Sequence, residues 1–216
     1  MEKLAEIRKD VLNQLMSHEI VERIHNGNVT RDEYVRYMSD VYYYAQHSSQ
    51  VIGFAASRLV SRHAEMADYL FTHAKEELGH DAWAKSDLID LGQTEEEIAA
   101  VMPSHACQKM VSMEYFYSCH DDPVGLFGWM YVLECLGGDA ASGLASGMDA
   151  ALQLEGKGVY FLAGHGEADE HHSEDLTNVI VHADLSNAEQ ACIANVMAMS
   201  ISCYLGILDH ALTGRN

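Results

Sequence analysis

The chain has 216 residues, 48% hydrophobic and 21% charged, which is enough apolar material for one buried core. Thirteen Lys and Arg stand against thirty-three Asp and Glu, and the formal charge of -20 disfavours nucleic acid, an anionic membrane surface or a polyanionic substrate as a partner. Five cysteines, odd in number and without CxxC spacing, argue against a disulfide framework or a zinc ribbon and for reduced thiols. The charged opening segment MEKLAEIRKDVLNQL holds no apolar run of signal-peptide or membrane-span length, so a cytoplasmic protein with no membrane partner is expected.

Only two prolines occur, Pro103 and Pro123, and long stretches are rich in Ala, Leu, Met, Glu and Lys, which predicts an all-α chain. Leu4, Ile7, Val11, Leu15, Ile20 and Ile24 recur at mostly helical steps and predict one amphipathic helix that ends near Asn26-Gly27-Asn28. Thr30 and Glu33 have the spacing of a capping box that opens a second helix, running to about Ser61. A third, from about Arg62 to Leu91, closes at Gly92, and Thr94 with Glu97 caps a short fourth. After Pro103 a helix reaches Tyr117, and the segment from Cys119 to Pro123 is the best candidate for a long loop. From Val124 to about Leu154 the chain is rich in Gly and Ala, with Gly137-Gly138 as a break or kink. A helix from about Gly158 to His182 follows, and Ser186 with Glu189 caps the last, to about Leu212. The expectation is a single domain over residues 1–216.

In GVYFLAGHGEADEHHSEDL, His165, Asp169 and His172 fall at i, i+4 and i+7, on one stripe of a helix. In isolation such a segment can be a solvated acidic face. A second helix, in HAKEELGHDAW, also presents His73, Glu76, Glu77 and His80 on one face, and Glu77 to His80 has the i, i+3 spacing of carboxylate-bridged di-metal bundles. Glu134 stands as the only charged residue between Asp122 and Asp139, in a strongly apolar stretch that makes exposure awkward. Glu77, His80, Glu134, His165, Asp169 and His172 form a mixed oxygen and nitrogen set that suits two ferrous or manganous ions better than zinc. Carboxylates would bridge, imidazoles would terminate, and open positions would admit dioxygen.

The EExGHxxW stretch of Glu76 to Trp83, Leu133-Glu134, and the FLxxHxxxDxxH stretch of Phe161 to His172 together resemble the heme-oxygenase-like diiron oxidases and oxygenases, the iron-containing redox enzyme family. The resemblance implies a bundle of about seven helices without heme, with a labile diiron site that activates dioxygen. It also implies an electron donor and a small amino-acid-like or fatty-acid-like substrate, oxidised by N-oxygenation, oxidative C–C cleavage or desaturation. Many members carry a carboxylate two turns before the motif histidine, where this chain has His73. Glu77, or alternatively Glu76, takes that role, or His73 adds an imidazole and one metal differs, manganese being an option.

His47 is a further candidate ligand or a partner that hydrogen-bonds one, against the plainer reading of a core histidine. Of the three consecutive tyrosines, Tyr43 and Tyr44 are candidates to contact substrate, although packing explains them as well. Three other readings compete with the diiron one. A thiaminase-like hydrolase would use Cys135, beside Glu134, as nucleophile. A heme oxygenase would need a proximal histidine near the N-terminus, where only His18 and His25 are available. A non-catalytic protein would use the metal structurally. A homodimer through an apolar helix face is plausible.

Overall fold

The computed structural model describes the backbone of residues 2–215 and the side chains of residues 6–165 and 173–215. Eleven α-helices and no strand occur among the described residues. They are α1 (Glu2–Met16), α2 (Glu19–His25), α3 (Arg31–Leu59), α4 (Ala64–Glu76), α5 (His80–Asp90) and α6 (Glu95–Ala100), followed by α7 (His105–Cys119), α8 (Leu126–Leu136), α9 (Ser142–Leu152), α10 (Tyr160–His182) and α11 (Asn187–Thr213). One local device starts three of them. At Thr30/Glu33, Thr94/Glu97 and Ser186/Glu189 the hydroxyl accepts from the N3 amide while the N3 carboxylate accepts from the cap amide.

Breaks in the long helices raise the helix number above the seven or so that the family resemblance implies. The first helix divides at Ser17-His18, where the His18 Nδ1 accepts from the Ile20 amide at 3.3 Å and caps α2. The third divides between Glu77 and His80, with consequences for the site. The expected long loop after Cys119 is only a few residues. Asp122 caps a 3-10 turn at Pro123–Gly125, and the Arg58 guanidinium donates to the carbonyls of Tyr117, Ser118 and Asp121 at the end of α7. Gly137-Gly138 does not break the chain: a π-helical segment, Gly137–Ala141, carries α8 directly into α9.

α3 runs through the middle of the bundle and touches α4, α5, α7 and α11. Its stripe from Tyr34 through Met38, Val41, Ala45 and Ile52 to Leu59 is buried, each large side chain contributing roughly 1.5–3 kcal/mol. α8 is buried at every residue but Leu133, as befits a helix that is apolar all round. It lies so close to α11 that a Cβ on Gly128 would stand 2.4 Å from the Ile193 carbonyl oxygen. By length and composition α11 is the one described helix that could cross a membrane, and its apolar stripe meets α3, α7 and α8. α10 closes the bundle against α5, α8, α9 and the π-helical segment.

Candidate metal centre

The corner between α4 and α5 carries two of the expected donors. Glu77 caps α4, its amide donating to the His73 carbonyl at 2.9 Å. Gly79 then takes φ +95°, a left-handed turn that a residue with a Cβ adopts only under strain, and His80 opens α5. Glu77 and His80 therefore do not share the face of one continuous helix, as their spacing predicted. The corner brings them together instead, with Glu77 Oε1 3.3 Å from His80 Nδ1.

His165 arrives from the opposite side on α10. That helix is anchored by Asp87 of α5, fully buried, whose two carboxylate oxygens accept from the Tyr160 and Phe161 amides at 2.9 and 2.7 Å. One turn further on, His165 Nδ1 lies 2.9 Å from the Phe161 carbonyl. A carbonyl can only accept, so Nδ1 carries the proton and Nε2 keeps its lone pair for a metal. Aromatic walls hold both imidazoles: Trp83 stacks on His80 and Phe161 on His165, each with ring centroids 4.1 Å apart. Gly164 leaves the room that the Trp83 ring occupies, since a Cβ there would meet it at 3.0 Å.

Donor atoms of Glu77, His80 and His165 lie within 4.8 Å of one another, the spacing of ligands around a single ion. His73 sits between this group and α8, with Nε2 3.1 Å from Glu134 Oε1 and 3.8 Å from Glu77 Oε1. Burial by itself would raise the Glu77 carboxyl, but the hydrogen bond with His80 and the nearby His73 and His165 outweigh it and hold the group below its ordinary range. Asp169 and His172 follow on α10, and their side chains lie outside the described residues.

The weaker candidates separate. The Glu76 side chain is 46% exposed and comes only to 3.9 Å from His73 Nδ1, so Glu77 is the carboxylate that turns inward. His47 leaves the cluster altogether: its Nδ1 pairs with the Tyr115 hydroxyl of α7 at 3.0 Å, and Tyr43 rests edge-on against its ring. Tyr44, one residue further round α3, faces a cavity of about 80 Å³ that Glu77, Glu134, His73 and His165 line from the other side. Three further lining residues gave no local signal in the sequence. Tyr37 and Tyr204 share a hydrogen bond of 2.8 Å across α3 and α11, and the Trp129 indole N–H is buried without a partner among the described residues. Among the described residues no Lys or Arg lines the cavity.

Residues 35–204 match the family model described as iron-containing redox enzyme. The chain belongs to that family. Solved structures share the fold over nearly the whole chain. A domain of unknown function with a heme oxygenase-like fold from Shewanella denitrificans OS217 is 22% identical, with TM-score 0.85, covering 99% of this chain and 90% of its own. A TenA homolog from Pseudomonas syringae pv. tomato DC3000 is 13% identical at TM-score 0.80, covering 98% of this chain and 91% of its own. Heme oxygenase-1 from Synechocystis sp. PCC6803, in complex with heme, is 13% identical at TM-score 0.74, covering 99% and 91%. No curated protein sequence matches the chain. Family membership brings iron and redox chemistry, and the carboxylate and imidazole donors of Glu77, His80 and His165 suit iron.

Proposed function

We propose that this member of the iron-containing redox enzyme family is a non-heme diiron enzyme that uses dioxygen to oxidise a small amino-acid-like or fatty-acid-like substrate. The observation that carries the reading is the meeting of Glu77, His80 and His165 from the ends of α4 and α5 and from α10, with His73 and Glu134 beside them, at a cavity that Glu77, His165, His73 and Glu134 line. One ion would be held by Glu77, His80 and His165, and a second by Glu134 with Asp169 and His172 of α10. Bound iron supplies the electrons and open coordination positions that dioxygen activation needs.

The chain's own part is to hold and to enclose. The Phe161 carbonyl fixes the His165 tautomer, Trp83 and Phe161 keep both imidazoles in place, and Ile52, Leu133 and Leu144 line the cavity with apolar surface that excludes bulk water. With no Lys or Arg among the described residues of the lining, a carboxylate on the substrate would find its counter-charge at the metal. An electron donor from outside the bundle would restore the reduced state.

The competing readings lose support at particular residues. Of the N-terminal histidines that a heme would need, His18 is tied to Asp209 at 3.3 Å while His25 is exposed. Cys135 is outside the cavity lining, and burial pushes its thiol up to about 12, which leaves no thiolate for attack. Anaerobic titration with ferrous iron followed by admission of oxygen, over a panel of amino acids and fatty acids, tests the proposal. Two bound equivalents and substrate-dependent oxygen uptake are expected. One equivalent, with uptake no faster than free ferrous iron, would overturn it and favour a structural metal.

A further inference from the structure

We propose that the cavity wall made by Trp129 of α8, Tyr37 and Tyr44 of α3 and Tyr204 of α11 binds an uncharged oxygen acceptor, a ketone, ether or amide carbonyl, carried by the substrate at the end away from its carboxylate. The inference deepens the oxidase reading and rests on it for the carboxylate, which goes to the metal.

Hydrogen counting singles out this wall. Trp129 is 2% exposed, and its indole N–H, which can only donate, has no partner among the described residues. A buried tryptophan normally finds one, and phenylalanine would pack there without the cost of an unpaired donor. The Tyr44 hydroxyl also makes no hydrogen bond among the described residues. Tyr37 and Tyr204 share a single bond of 2.8 Å, which uses one of their two hydroxyl hydrogens and leaves the other to donate. All four side chains line the same cavity, so three hydrogens there await an acceptor. Burial raises the phenols of Tyr37, Tyr44 and Tyr204, and each keeps its proton at neutral pH.

The acceptor that fits is neutral. Among the described residues the lining holds no Lys or Arg, and an anion buried against neutral donors alone would lack a counter-charge. Charge belongs to the other side, where Glu77, Glu134, His73 and His165 stand. Ile52, Leu133 and Leu144 give apolar surface to the carbon chain that joins the two ends. A plain fatty chain would leave all three hydrogens unpaired, so the wall favours an oxygenated chain.

Zinc-loaded protein, which takes up no oxygen, tests the wall with three probes of similar length. They are O-methylhomoserine, norleucine, which has a methylene in place of the ether oxygen, and glutamate, which ends in a second carboxylate. Calorimetry should show the ether binding about tenfold tighter than norleucine, the worth of one net hydrogen bond, and glutamate binding no better than norleucine. The chain has two tryptophans and so two indole N–H resonances. The one missing in Trp129→Phe should move downfield with the ether and stay in place with norleucine. Trp129→Phe and Tyr44→Phe should each cut the ether's advantage by about threefold or more while norleucine affinity holds within about twofold, a pattern that a merely structural loss would not give. Norleucine binding as tightly as the ether, an advantage that survives both substitutions, or an unmoved Trp129 resonance overturns the proposal. Glutamate binding tightest overturns it in favour of an anion site. If the zinc protein discriminates as expected while the iron-loaded protein shows no substrate-dependent oxygen uptake across the whole panel, the oxidase reading falls and the donor wall stands.

Discussion

His165 keeps its Nε2 lone pair because the Phe161 carbonyl, one helical turn earlier, takes the hydrogen bond from Nδ1. Backbone geometry thus sets the tautomer, and no neighbouring side chain has to supply it. His165→Ala should leave the fold intact, since the side chain is only partly buried, but, on the proposed diiron reading, lower affinity for one of the two irons by more than about 100-fold. Iron analysis after gel filtration should then find one equivalent; two equivalents would remove His165 from the ligand set. Residue spacing had marked both Glu76 and Glu77 as inward candidates. What separates them is the rotation of roughly 100° between neighbouring residues of a helix, which turns Glu77 to the cavity and leaves Glu76 in water.

The placement of whole helices depends on contacts that no local pattern announces. Asp87 ties the start of α10 to α5 by accepting two of its orphan amides, and so fixes where His165 stands. Asp87→Ala would leave those amides unpaired in a dry site, a loss of about 1–3 kcal/mol readable in urea unfolding, with weaker iron binding alongside. An unchanged midpoint would show that water replaces the carboxylate. α8 carries Glu134, and it reaches its depth because Gly128 lets it approach the backbone of α11. Gly128→Ala should lower stability by about 1–3 kcal/mol, because the obstructing atoms are the Ile193 carbonyl and the Met197 amide rather than a flexible side chain. Calorimetry would show the loss as a lower melting temperature.

Across the whole molecule, two carboxyls pull stability in opposite directions as pH changes. Glu189, bonded to His63, is depressed to about 2, so its contribution is present above the ordinary glutamate value and is lost as pH falls toward 2. Glu114 is raised to about 8, so between the ordinary value of about 4.3 and pH 8 the unfolded chain has released a proton that the folded chain retains. Stability must therefore decline as pH rises across that window. Glu114→Gln should remove this slope, and its stability advantage over wild type should grow from pH 5 to 8 and then level off. Parallel profiles for the two proteins would mean that Glu114 titrates normally.

Helix type, the three capping boxes and the set of candidate ligands follow from the sequence alone, because each depends on residues within one or two turns of each other: Thr30 with Glu33, or His165 with the stripe that starts at Phe161. The family resemblance was legible for the same reason, in three short segments taken in order. What faces what was decided only in three dimensions. Spacing gives an angle about a helix axis, not the neighbour that waits there, so His47 went to Tyr115 rather than to the cluster, and Tyr37, Tyr44, Trp129 and Tyr204 met at one cavity from three helices. His165, Asp169 and His172 are a stripe by sequence, whereas the meeting of His165 with Glu77 and His80 is a product of packing, made by the turn at Gly79 and the anchor at Asp87.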